Sequence, residues 1–310
     1  MEANAEVLTL FGPQTKQRSL WGDAFRRLRR NRLAMASAII IVILAGIAVA
    51  APLIAPHPPR EQLYMKEGSA VCEAYSPSGD HLFGVDQFCR DTLSRIVYGA
   101  RISLTVGIFT QGIAVTLGVL IGGIAGLGGK WLDNIMMRFT DATYAFPDLL
   151  LIILFASVFR ETALGAWAGG IFAIFLAIGV AAWVTIARLV RGQILSLKER
   201  EFVQAAEALG ATKTQILFRH LVPNTLSPVI VAVTFGIPAA IFSEAALSFI
   251  GVGIRPPTAS WGVMINDGYQ LILVSYWPIL IPGIAIALTM LCFTFLGDGL
   301  RDALDPRTRK

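Results

Sequence analysis

Three cysteines and three histidines in 310 residues leave little material for metal clusters or a disulfide scaffold. Charge is also scarce, at 15% of residues. No serine, cysteine or paired-carboxylate constellation falls where a pocket between apolar segments would form, and no histidines cluster there. An intramembrane enzyme therefore lacks its residues. A phosphate loop is missing too. Its nearest likeness, Gly128-Gly-Lys-Trp131, has Ile124 where the first glycine must stand and Trp131 where a hydroxyl must hold magnesium. The chain encodes no nucleotide site and calls for no cofactor of its own.

Apolar residues, by contrast, make up 55% of the chain and come in long blocks, with a mean hydropathy of +0.64. That is the composition of a chain that crosses a bilayer repeatedly. The net charge of +5 would suit a nucleic-acid partner. Most of the basic residues flank apolar blocks, however, which is the membrane pattern and implies lipid rather than nucleic acid. The polar lead 1–32 is too long for a signal peptide, and Leu33 to Ala55 is a full span rather than a short cleavable core. Within the lead, Trp21, Phe25 and Leu28 share one helical face, and Arg26, Arg27, Arg29, Arg30 and Arg32 supply charge. This reads either as an interfacial helix on the lipid surface or as an extension of the first span.

Five more apolar blocks follow, at 102–127, 146–159, 162–187, 229–250 and 278–296. The block 146–159 is short for a span. Extending it back to 135 adds Arg138, Asp141 and Pro147 to the Asp148 already inside. A charge at mid-membrane costs about 2.5–3.5 kcal/mol, so these residues belong near the inner surface or against protein. Dropping this span would move the basic loop after Ala187 outside, against the positive-inside rule. The expected organisation is all-α, with both termini cytoplasmic. A basic cytoplasmic segment, 1–32, precedes six spans at 33–55, 102–127, about 135–159, 162–187, 229–250 and 278–296. An external loop occupies 56–101, a cytoplasmic loop 188–228, and a cytoplasmic tail 297–310.

The loop before the fifth span carries the strongest local pattern, SLKEREFVQAAEALGATKTQILFRHLVPNTLSP from Ser196 to Pro228. Ser196 to Glu199 and Thr212 to Gln215 both read as capping boxes. Gly210 between them suits a left-handed helix end, and Pro223 and Pro228 punctuate the far side. Two short helices with a sharp bend are predicted. Phe202, Ala206 and Leu209 fall at helical spacing with small Ala205 beside them, a surface that another protein can approach closely.

The run Gln204-Ala-Ala-Glu-Ala-Leu-Gly210, with Pro223 thirteen residues on, resembles the EAA loop of ABC-importer permeases. Gln204, His220 and Val222 depart from the usual Glu, Ile and Leu. Ala205, Ala206, Gly210 and Pro223 match. The segment 81–104 combines Gly84, Asp86, Arg90, Asp91, Ser94, Arg95, Tyr98, Gly99 and Arg101. It resembles the stretch before the second span in C-type permease subunits of dipeptide, oligopeptide and nickel importers, which usually have glycine where Cys89 stands. The segments 252–277 and 296–307 resemble the same subunits. The resemblance implies the six-span type I ABC importer permease fold. It implies that Gln204, Ala205, Ala206, Glu207, Gly210 and Pro223 dock an ATPase subunit. It further implies a homologous permease as heterodimer partner, two ABC ATPase subunits that bind the ATP and magnesium, and an extracytoplasmic solute-binding protein. Short peptides are the implied solute, with nickel or another small solute as the alternative. An ion-coupled carrier is the rival class, and it would need ionisable groups nearer mid-membrane than Glu244 and Asp148.

Four smaller readings remain. Cys72 and Cys89 both lie in the external loop, where a disulfide is chemically allowed, and unpaired thiols are the alternative. His57 and His81 share the loop, so a four-ligand metal set is conceivable, but the spacing matches no compact motif and no metal is assigned. Glu244 lies near the outer end of the fifth span, where a structural role outweighs a chemical one. Gly118, Gly122 and Gly126 repeat at four-residue spacing, a frequent chance pattern that permits close helix packing.

Overall fold

The computed structural model describes residues 20–62, 76–79, 81–166 and 170–305, and among these the extended elements are helices. Helix α1 (Leu20–Arg30) is separate from α2 (Arg32–Val49). Asn31 divides them and caps the second, since the Ala34 N–H donates to Asn31 Oδ1 at 3.1 Å. The basic segment is thus its own helix and not an extension of the span. Phe25 stands 61% exposed beside the arginines while Ala24 is buried. The Trp21 side chain lies outside the described residues.

Helix α3 (Thr92–Leu127) starts ten residues earlier than its apolar block. Asp91 caps it by accepting from the Ser94 N–H at 2.7 Å. The polar first turns survive because Ser94, Arg95 and Ser103 are buried in protein rather than in lipid. The expected external loop accordingly ends at Asp91, and its last part is the head of a span. Helices α4 (Lys130–Tyr144) and α5 (Asp148–Arg160) meet at 96°. The predicted straight span 135–159 is therefore a bent pair. Pro147 disfavours helical backbone at Phe146, and the break falls there.

Helix α6 (Ile171–Leu197) lies about ten residues later than the expected fourth span, after a single turn at Ala163–Ala166. It keeps Arg188 and Arg191 inside the helix because α4 supplies their partners. Asp141 accepts from Arg188 at 2.7 Å, and Asp133 accepts two bonds from Arg191 at 2.5 and 2.7 Å. A short helix α7 (Glu201–Ala208) follows. A turn at Lys213–Ile216 then runs through a π-helical turn (Leu217–Leu221) into α8 (Val222–Phe249). The fifth-to-sixth connection contains a helix that hydropathy did not reveal, α9 (Trp261–Tyr269), capped by the Ser260 hydroxyl. Helix α10 (Trp277–Leu304) completes the set. Five helices among the described residues are long and apolar enough to cross a membrane, or six if α4–α5 is one broken span.

The core is the seam between α3 and α6. A methyl group added at Gly118 would sit 2.5 Å from Ile186 Cβ, and one at Gly126 2.7 Å from Ile194 Cγ2. The glycine repeat thus marks where the α6 backbone presses against α3. Val106, Ile174, Ile178 and Leu247 fill the space between these helices and α8. Helix α2 is peripheral, touching the bundle through Ala34, Ser37 and Ala48 while Ile39, Val42 and Ile43 face outward.

Candidate coupling surface and pathway wall

The bend before α8 is built from short-range signals. Thr212 and Gln215 form the predicted capping box, with the Gln215 N–H donating to Thr212 Oγ1 at 3.3 Å and the Thr212 N–H to Gln215 Oε1 at 2.9 Å. Gly210 has φ +85°, the left-handed conformation that the Ala208–Leu209 helix end requires. The other predicted box does not form. Ser196 is still inside α6, and α7 is preceded by Arg200 with no side-chain cap. Nor do the prolines end the second helix. Pro223 occupies the first turn of α8, where a missing N–H is harmless, and Pro228 is tolerated inside it. The second arm of the bend is thus the root of the fifth span rather than a free short helix.

Helix α7 is fastened through Val203, buried against Ile194, Ile216 and Leu221. Gln204, Ala205, Glu207 and Gly210 are exposed, Ala206 is half-buried, and Pro223 is exposed one turn into α8. Leu209 stands 89% exposed at the tip, and Phe202 is exposed beside the His220 ring. The named residues are thus exposed or half-buried, in α7, the turn after it and the first turn of α8. The bend carries an apolar knob over a small-residue helix, held to the bundle by few contacts.

Between α3, the α4–α5 bend, α6 and α8 lies a cavity of about 390 Å³. Gln111, Thr143, Tyr144, Asp148, Thr185 and Ser243 supply its polar atoms, and the rest of its wall is apolar. Among the described residues Asp148 is the one charged residue of that wall. It stands in the first turn of α5, where a helix N-terminus favours an acid.

The end opposite α7 is tied by buried polar groups. Arg90 and Arg95 both donate to Asp267 Oδ2, at 2.8 and 2.9 Å, and Arg90 Nε donates to Asp86 Oδ2 at 2.7 Å. Burial pushes the Asp267 carboxyl up from its ordinary value, against the pull of the Arg95 and Arg90 guanidiniums. Glu244 is fully buried in α8, and its Oε1 accepts from the Ser248 and Ser260 hydroxyls at 2.7 Å each. That bond network ties α8 to the start of α9. Arg160 closes the same end by donating to the Val252 and Gly253 carbonyls.

Cys89 takes φ +58° and is disulfide-bonded; Cys72 lies outside the described residues. The left-handed backbone at 89 accounts for the glycine usual there among the resembling subunits. The fold also brings His57 and His81 to Asp91, a meeting that the spacing along the chain did not show.

Apolar spans around a cavity, with a protruding helix at one end, define a multi-pass membrane transport protein. The chain belongs to the family described as binding-protein-dependent transport system inner membrane component, which matches residues 118–310. Residues 19–70 match the N-terminal transmembrane domain of oligopeptide transport permease C. The chain is 44% identical over 289 residues to the dipeptide transport system permease protein DppC of Bacillus subtilis, covering 93% of this chain and 86% of that one. It is 40% identical over 308 residues to the oligopeptide transport system permease protein OppC of Escherichia coli, covering 99% and 98%. The inward-facing MetNI methionine ABC transporter shares the fold. Its TM-score is 0.54 at 19% identity, over 68% of this chain and 96% of that one. The fold is that of type I ABC importer permeases.

Proposed function

We propose that this chain is one of two homologous permease subunits that together line the pathway of an ATP-driven importer of short peptides. In this reading both termini and α7 face the cytoplasm. Two ATPase subunits bind there, carrying the ATP and magnesium, and grip Gln204, Ala205, Ala206, Glu207, Gly210 and Pro223. Their closure pushes α7, and through the continuous root of α8 the push reaches the cavity wall at Ser243 and Gly236. A solute-binding protein delivers peptides at the opposite end, which carries the disulfide-bonded Cys89. The observation that carries the reading is the exposed α7, anchored by Val203 and joined through the Gly210 bend to the helix that runs on into a span. The likeness to permeases named for dipeptides and oligopeptides supports the solute class.

The test is reconstitution into proteoliposomes with the second permease, the ATPases and the binding protein. Labelled di- to pentapeptides should accumulate only with ATP. Uptake that persists in ATP-free vesicles and collapses with a protonophore would instead make the chain an ion-coupled carrier.

A further inference from the structure

At the end of the molecule opposite α7, three side chains distant in sequence converge. His57 follows the first span, His81 lies in the segment before α3, and Asp91 caps α3. One ligand atom from each lies within 4.8 Å of the others. The His57 and His81 ring centroids are 5.5 Å apart, and His81 Nδ1 stands 2.9 Å from Asp91 Oδ1. His81 and Asp91 are buried, and His57 is half-buried at the rim. We propose that His57, His81 and Asp91 bind one divalent transition-metal ion of the zinc class.

The carboxylate is oriented for this. Asp91 Oδ2 is occupied by the Ser94 N–H and hydroxyl, at 2.7 Å each, which leaves Oδ1 turned to the imidazoles. The same Ser94 oxygen accepts from the His57 backbone N–H at 3.1 Å, so one hydroxyl positions two of the three ligands. Such outer partners orient ligands and raise affinity. Two neutral imidazoles and one carboxylate form a borderline donor set, which suits zinc and disfavours calcium or magnesium. Zinc bound at about 2.0–2.1 Å to each nitrogen brings tetrahedral ligand atoms to about 3.3 Å from one another. Small side-chain rotations close the cluster to that size. The ion takes the place of the His81–Asp91 hydrogen bond, and three protein ligands leave the fourth position to water at the His57 rim. Bound there, it would clasp the end of the first span to the head of the second.

The experiment uses the full chain with an affinity tag free of histidine, purified in detergent, stripped with a chelator and dialysed against zinc. Mass-spectrometric metal counting should find one equivalent. His57→Gln and His81→Gln should each lose it, and Ser94→Ala should weaken it by about 10- to 100-fold. Cys292→Ala should retain it. Cobalt in place of zinc should give the visible absorption of a tetrahedral site, absent from His57→Gln. Should His81→Gln fail to fold, His57→Gln at the rim decides. No stoichiometric zinc in the parent chain, full retention by His57→Gln, or loss in Cys292→Ala would overturn the proposal and leave a plain His–Asp hydrogen bond.

Discussion

Gly210 is surrounded by open space, so its importance is conformational rather than steric. A side chain in left-handed backbone costs about 1–2 kcal/mol. In the proposed assembly Gly210→Val should leave membrane insertion and ATP turnover intact. Peptide uptake should fall about 5- to 30-fold, the factor that this energy carries. Parent-like uptake in the proteoliposome assay would refute a docking role for the bend. Glu244 poses the opposite case, since its surroundings are closed. Glu244→Ala strands the Ser248 and Ser260 hydroxyls and should destabilise the fold by about 1–3 kcal/mol. Glu244→Gln keeps an acceptor and should lose less. Thermal unfolding in detergent reads both, and equal losses would show that the hydrogen bonds carry no weight. The residue type at 210 was legible in the sequence because a helix end is a local event. The partners of Glu244 were not, because Ser260 lies sixteen residues on, beyond a turn that no periodicity describes.

Elements are joined here by two different means. The seam of α3 and α6 is joined by absence of side chains. Gly122 faces the Ala187 carbonyl, and Gly122→Leu should force the helices apart at a cost of about 1–3 kcal/mol or more. Unfolding at the parent temperature would place the seam elsewhere. The opposite end is joined by charge, with Asp267 of α9 and Asp86 together neutralising Arg90 and Arg95 at the head of α3. Removing one partner of a buried ion cluster costs about 3–5 kcal/mol. Asp267→Ala should therefore loosen α9, seen as faster hydrogen exchange over 261–269, and unchanged exchange there would contradict the role. The glycine repeat was visible in sequence, but its partner helix was not. The ends of the spans were misjudged for one reason. Hydropathy places charges outside a span, whereas Arg95, Arg188 and Arg191 stay within helices because Asp267, Asp141 and Asp133 on other helices supply their carboxylates.

For the whole molecule the decisive question is orientation. A cysteine placed at Lys213, in a chain whose Cys292 is replaced and with the chain lacking the new cysteine as control, should react with an impermeant maleimide only after the membrane is opened from the cytoplasmic side. Labelling from outside in intact cells would invert the proposed topology and remove α7 from reach of any ATPase.

What the sequence determined by itself was the class of protein and its family. Long apolar blocks and the QAAEALG bend are readable within a few turns of chain. The tertiary structure alone decided the α4–α5 bend, the cavity with Gln111 and Asp148 in its wall, the Asp267 cluster and the meeting of His57, His81 and Asp91. Those features join residues that lie in different helices and connecting segments. Contacts of that range follow from how the helices pack, and local pattern carries no record of it.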